Sequence, residues 1–578
     1  MSIKYLALAI LAAAVSCAAT VAAGPVTPNP GLHYYYEVPK AQPPQNIKVD
    51  VCVYGGTVAG VSAAVQAGHM GKTVALAVFR RHVGGMTSGG LTAVDIGCKD
   101  AIGGMTRDFF RRLAKPGTYA DWSVELGFRP SEAENLLLAM LKDAGVKVYF
   151  EHRLQSVQKD GAHLRAITFE NGNRIEARIF VDASYEGDLL ARSGVSYVVG
   201  REDNHAFGET VNGFQISFTH QFRFPVDPYR VPGDPKSGLL PGISSEPPNK
   251  PGTGDKRVQA YNFRLWLVKA GEGLPFPKPA DYRGDEYALL LRYLTTRPGF
   301  PWDFSYQYGP IKLNLADCNN AGPFSTDFVG GSYDWPDADY AARERLFQAH
   351  VTYQQGLFWF LAHDEAVPAQ VRTRMQKFAL PKDEFPETGG WPHELYVREA
   401  RRMVSDYVMT QHNFDYDVTA PDSVGLGSYT IDSHHTARVV VDGRVLAEGD
   451  TEHPSFTRAG SSKNGKVVAE EDLAHLRGKF RPYPISYRAI VPRQGQCDNL
   501  LVPVCLSSTH AAYGSLRVEP VFMILGQSAG TAAALAIDAG VPVQQLDYAK
   551  LRQRLLADGQ LLTWSEPPSK PADASKRK

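Results

Sequence analysis

The chain has 578 residues with 61 basic and 61 acidic side chains, so it carries no electrostatic footprint for nucleic acid or an anionic membrane. With 44% hydrophobic residues it can bury several cores, and its 39 prolines and 53 glycines therefore mark loops around a cofactor-sized core rather than disorder. The six cysteines form no C-x-x-C, so neither a zinc site nor an iron–sulfur cluster has its usual spacing, and no metal is expected.

Length suggests about three or four domains. The first residues, MSIKYLALAILAAAVSCAATVAAG, hold an apolar run from Tyr5 to Val15 that is too short to span a bilayer. Val21-Ala22-Ala23 fits an A-x-A-like cleavage rule, so 1–23 reads as an export leader and the mature protein as periplasmic or extracellular. Ala14-Val15-Ser16-Cys17 matches a lipoprotein box weakly, and a lipid anchor at Cys17 is the lesser alternative. Removing the leader leaves an odd set of cysteines with no disulfide framework, although one bridge stays open; Cys52 reads as a core residue. Residues 24–47, rich in Pro and Tyr, read as a linker laid over the surface.

Val49 to Tyr54 is a short apolar run of the kind found in a buried parallel strand. Gly55-Gly56-Thr57-Val58-Ala59-Gly60 then turns into a helix with small residues Gly60, Ala63, Ala64 and Ala67 on one face, and Thr73 to Val78 is a second strand. This βαβ order places backbone N–H groups and a helix dipole where a pyrophosphate binds. Thr57 replaces the middle glycine of the strict G-x-G-x-x-G pattern, and Val78 stands where an acid usually meets the ribose. The competing reading is a purely structural turn.

Gly84-Gly85-Met86 and Gly103-Gly104 follow, with Arg80 and Arg81 before them, free to reach a phosphate or solvent. Ser131 and Glu134 form a capping box for a helix through Lys142, Val146 to Phe150 is a strand, and His163–Phe169 pairs with Arg174–Val181 across Asn171-Gly172. The strand Ile179 to Ala183 leads into Asp182-Ala183-Ser184-Tyr185-Glu186-Gly187-Asp188. From Gly200 to about Tyr487 aromatics and long loops dominate, as in an inserted domain. Three constellations stand out there: Lys312-Leu313-Asn314 with Asp317, Asn319, Asn320 and Phe324-Ser325-Thr326-Asp327; Arg398, Arg401 and Arg402; and Ile431-Asp432-Ser433-His434-His435. Singly each reads as a polar loop, a salt-bridged face or satisfied histidines. Together they supply anion-binding and acid/base groups for a redox site. Asn499 to Val504 is a strand, Cys505 to Gly514 a loop with His510, and Pro520 to Asp538 a helix rich in small residues. A disordered tail is expected from Pro567.

The stretches Tyr54–Gly60, Arg80–Met86, Tyr185–Leu189, Tyr396–Arg402, Ile431–His434, Ser508–Ser515 and Gly526–Thr531 resemble, in this order, FAD-dependent oxidoreductases of the glutathione-reductase type. The resemblance extends to a bacterial group, some of whose members carry the label xanthan lyase. It implies an α/β fold: a Rossmann-like FAD-binding domain from 48–199 and 488–562, an inserted α+β substrate domain at 200–487, and a tail at 563–578. It implies FAD at Gly55, Gly56, Thr57, Ala59, Gly60, Arg81, Gly84, Gly85, Met86, Asp182, Ser508, Gly514 and Gly526. The closing helix, entered at Val518 to Val521, would point its N-terminus at the flavin. On this reading a base, His434 or His435, takes a hydroxyl proton, with His510, beside the flavin by analogy, as runner-up, and Arg398 or Arg402 holds a carboxylate or oxyanion. The expected activity is oxidation of a small or saccharide-derived substrate by an exported flavoenzyme, with the electron acceptor left open and no transmembrane segment in the mature chain. The rival is a non-redox polysaccharide lyase or sugar-binding protein.

Overall fold

The computed structural model describes residues 31–114, 128–217, 220–302, 304, 311–313, 315, 317–452, 462–463, 466–467 and 481–565. Residues 1–23, read above as a leader, together with Asn314 and the tail from Pro567, lie outside these residues.

Strand β1 (Asn46–Tyr54) is buried on both faces over its last four residues, where it enters the middle of a parallel sheet. Helix α1 (Val58–His69) and the fully buried β2 (Val74–Ala77) complete the βαβ unit. Helix α2 (Pro130–Asp143) leads to β3 (Lys147–Tyr149), and β4 (Leu154–Asp160), β5 (His163–Phe169) and β6 (Arg174–Asp182) follow. The sheet runs β3-β2-β1-β6-β5-β4, with a late strand, Leu500–Leu501, added in parallel beside β6. Register places Tyr54 opposite both Ala77 and Asp182, so the turns after β1, β2 and β6 emerge along one edge. That edge of a parallel sheet is where a dinucleotide belongs.

Between β6 and Leu500 the strands are short and pair two by two. Strand β7 (Tyr197–Val198) pairs with β8 (Arg402–Met403), and β9 (Ser423–Gly427) pairs with Tyr483–Ser486. The β7–β8 pair brings Arg402 back beside the sheet. The main apolar cluster continues from Val53 and Val61 into Tyr353 and Leu361 of the 24-residue helix α3 (Tyr340–His363).

Helix α4 (His510–Leu516) and then α5 (Glu519–Ala539) close the chain onto this sheet. Among the described residues α5 is long and apolar enough to cross a membrane, yet it is a core helix packed along α1 and β9. A Cβ on Gly526 would strike the Ala59 carbonyl, and one on Gly530 the Ala63 carbonyl. Gly526 thus serves helix–helix approach.

Several expectations need correction. Ser131 does not cap α2: the helix starts at Pro130, and the Ser131 hydroxyl donates to Glu384 at 2.7 Å because a tertiary carboxylate outcompetes the local N–H. The strand expected over Asn499 to Val504 shrinks to two residues, and the linker buries Leu32 and Tyr34. Cys52, Cys98, Cys318, Cys497 and Cys505 are all unbridged.

Candidate functional site

The turn after β1 is built from clashes that only glycine avoids. A Cβ on Gly60 would run into the Gly55 carbonyl, and one on Gly55, at φ +109°, would sit 2.5 Å from the Ala183 carbonyl carbon. Thr57 explains its place in the pattern: its hydroxyl donates to the Ala183 carbonyl at 2.7 Å and accepts the Gly60 N–H at 3.2 Å. It caps α1 and staples the turn to β6 at once. Ala59 lies in the first turn of α1, and Gly84 closes the second loop over the first, donating to the Gly56 carbonyl at 2.6 Å.

These loops border a cavity of about 60 Å³ whose walls include Gly55, Gly56, Thr57, Val78, Gly85 and Tyr34. The glycine cradle and the first-turn N–H groups fit a pyrophosphate. Tyr34 forms part of the cavity wall. Its ring packs 4.9 Å from both Phe79 and Trp335, and its hydroxyl donates to Glu186. Val78 faces the same cavity, where Glu186, Asp188 and Glu394 stand as the nearby acids.

Not every expected cofactor residue faces it. Arg81 turns outward, 68% exposed and paired with Glu151, whereas Arg80 lines the cavity and pairs with Glu394. Asp182 is satisfied within its own turn by Ser184 and the Leu190 N–H, and burial raises its carboxyl to about 6. Gly514 packs against the backbone of Asp432, and Ser508 gives its carbonyl to Arg402. Met86 donates its N–H to the Tyr185 hydroxyl at 2.9 Å.

That hydroxyl leads to a residue the sequence reading missed. Glu519, in the first turn of α5, accepts from Tyr185 at 2.7 Å and from Thr87 at 3.0 Å. Burial raises its carboxyl to about 7. The positive end of the helix dipole therefore already has an acid against it.

Beside α4 and α5 lies the acid/base cluster. His434 Nδ1 is 2.7 Å from Asp327 Oδ2, while Asp327 Oδ1 forms an ion pair with Arg398 at 3.0 Å. Burial works to raise Asp327, but Arg398 and His434 hold it well below the usual carboxylate range. On the other side His434 Nε2 is 3.7 Å from Asp432, which Arg517 grips at 3.0 Å. Two Asp–Arg pairs thus flank one imidazole. Arg398 and Arg517 also bracket the Tyr396 ring, 4.8 and 5.9 Å from its centroid. The Nε atoms of both are buried without a partner. Such unpaired buried donors favour an incoming anion. His434 is 11% exposed and Asp432 21%, against zero for Arg398, so the histidine is the face of the cluster.

The other expected catalytic groups are struts. Arg402 is spent on Glu399, Glu202 and the carbonyls of Gly200 and Ser508. His510 bridges Glu399 at 2.8 Å and Ser433 at 3.3 Å, and burial lowers it to about 3. His435 is buried and held neutral, lowered to about 4.

A family model described as FAD dependent oxidoreductase matches residues 50–555. No curated protein compared with the chain matches it. Among solved structures, a flavin-containing monooxygenase from Stenotrophomonas maltophilia is similar at 19% identity and TM-score 0.19, over 28% of this chain and 44% of that one. An L-proline dehydrogenase from P. horikoshii is similar at 14% identity and TM-score 0.22, over 28% of this chain and 59% of that one. The 3-ketosteroid-delta4-(5alpha)-dehydrogenase from Rhodococcus jostii RHA1 gives 14% identity and TM-score 0.18, over 26% of this chain and 50% of that one. In each case the chain spans less than two thirds of the protein it matches.

Proposed function

The chain belongs to the FAD-dependent oxidoreductases, and from that premise we propose that it is an exported enzyme oxidising a hydroxyl on a small or saccharide-derived substrate that carries an anionic group. FAD, when bound, supplies the hydride acceptor. Gly55, Gly56, Thr57 and Ala59 would hold its pyrophosphate. Everything else in the reading is work for the chain's own side chains.

The carrying observation is His434 held between Asp327 and Asp432. Asp327 fixes the Nδ1–H tautomer and stabilises the imidazolium, while Nε2 takes the hydroxyl proton. Arg398 and Arg517, each with a free Nε, would grip the anionic group and orient the hydroxyl toward Nε2. Export rests on the leader-like 1–23. Nothing in the site favours the lyase or sugar-binding alternative.

Anaerobic bleaching of the FAD absorbance with a panel of sugar acids and neutral sugars tests the proposal. Wild-type protein should bleach with an anionic member of the panel, and His434→Ala should not. Bleaching only by neutral sugars would remove the anion-binding role of the arginines.

A further inference from the structure

At the rim of the cofactor cavity, away from the acid/base cluster, His393 is only 8% exposed and neither of its ring nitrogens has a partner. A neutral imidazole has one N–H and one lone pair to satisfy, and burying both unpaired is costly. His82 stacks on it, with ring centroids 3.8 Å apart and planes 14° off parallel. Glu387 Oε1 lies 3.6 Å from His82 Nε2, and ligand-capable atoms of the three residues all fall within 4.8 Å of one another.

We propose that His82, His393 and Glu387 bind one divalent transition-metal ion, with Zn²⁺ the fitting case. Two imidazoles and one carboxylate form a zinc donor set with an open fourth position, whereas Mg²⁺ and Ca²⁺ prefer oxygen throughout. Zinc bonds of ~2.0–2.1 Å put tetrahedral ligand atoms roughly 3.4 Å apart. The His82–Glu387 pair is already near that spacing, while the widest pair must draw in by up to about 1.4 Å and the stacked rings must turn out of parallel, because each imidazole binds an ion in its own plane. The outer support is also in place. His82 Nδ1 lies 3.2 Å from both carboxylate oxygens of Glu134, which itself accepts the Val83 N–H at 3.1 Å. A held carboxylate behind a ligating histidine fixes the tautomer and leaves Nε2 for the ion. Glu387, 47% exposed, gives the ion a way in.

The ion would join two segments that meet only through the fold. His82 lies on the loop that closes over the Gly55–Gly60 turn, and His393 precedes Glu394, which pairs with Arg80 in the cavity wall. Metal binding should therefore stabilise the rim and slow FAD loss. The separation of 82 from 387 and 393 explains why no short-range spacing announces the site.

The test uses full-length holoprotein, stripped with EDTA, dialysed, and titrated with Zn²⁺ and with Co²⁺. One Zn²⁺ per chain, a thermal midpoint that rises with Zn²⁺, and visible absorption from four-coordinate Co²⁺ are expected. Glu134→Gln should weaken binding 10–100-fold; His393→Gln and Glu387→Gln should weaken it more. Glu387 is exposed, so its variant decides the matter if His393→Gln does not fold. Absence of saturable binding by folded wild-type protein, or unchanged affinity in Glu387→Gln, overturns the proposal.

Discussion

His434 and His510 both touch carboxylates, and what separates them is burial and how closely the second nitrogen is held. His510 has both nitrogens engaged and, lowered to about 3 by burial, stays neutral across the physiological range. His434 has Nδ1 oriented by Asp327 and Nε2 3.7 Å from Asp432, beyond hydrogen-bond distance, with both side chains partly exposed. His434→Ala should therefore cut the rate of FAD reduction by roughly 10²–10⁴-fold while leaving the FAD spectrum intact; stopped-flow reduction measures this. Arg402→Ala should act on stability instead, because it strands Glu399 and Glu202, and breaking such a buried pair costs ~3–5 kcal/mol. Urea unfolding would show it, and an Arg402→Ala protein of wild-type stability but collapsed rate would reverse the two roles. The stretches that the fold brings into the cluster were legible from sequence, but not how their residues divide between open and fully engaged positions. What selects His434 over His435 and Arg398 over Arg402 is Asp327, Gln259 and Glu202, which come from distant parts of the chain. Glu519 was missed because an acid at a helix start is ordinary capping chemistry until Tyr185 and Thr87 close around it.

The β1–turn–α1 element was the most legible part of the fold, because its small residues have no other use. Gly60→Ala should deform the turn against the Gly55 carbonyl, costing on the order of 1–3 kcal/mol, and the folded protein should purify with little FAD. Full occupancy would mean that this turn is not the cradle. Strand ends were less legible: Leu500–Leu501 pairs only Phe180 and Val181 of β6, whose Arg174 to Glu176 are paired by β5. Val78 shows a local rule yielding to packing. Sequence pattern recommends Val78→Glu to restore a ribose-binding acid and tighten FAD. In the fold Val78 Cγ1 lies 2.8 Å from where a Gly56 Cβ would be, and Glu186 and Glu394, both raised by burial, already share the cavity. With Asp188 also in the wall, a fourth carboxylate would be an unpaired charge there. Val78→Glu should lower the thermal midpoint without tightening FAD, as titration of both apo-proteins would measure; a tighter variant would place the ribose against residue 78 after all.

At the scale of the whole molecule, buried titratable groups pull stability in two directions. Burial raises Glu519 to about 7 and Asp182 to about 6, from 4.5 and 3.8. Burial lowers His350 and His435 to about 4 and His510 to about 3, from 6.5. For the acids the folded state keeps a proton that the unfolded chain has released, so stability falls as pH rises from about 4 to 7. For the histidines the unfolded chain takes up a proton that the folded state refuses, so stability falls as pH drops from 6.5 toward 4. The two slopes oppose each other over most of that range. Above pH 6.5 these histidines no longer act, while Glu519 and Glu186, both raised to about 7, still do. Glu519→Gln keeps an oxygen to accept from Tyr185 and an amide to donate to the Thr87 hydroxyl, but removes the charge. Its stability should therefore fall less between pH 5 and 7, by up to ~1.4 kcal/mol per pH unit. Urea midpoints across that range, with FAD in excess for both proteins, measure the difference. Parallel profiles would mean that Glu519 ionises in the fold as it does in the unfolded chain, and that its place against the α5 dipole offsets its burial.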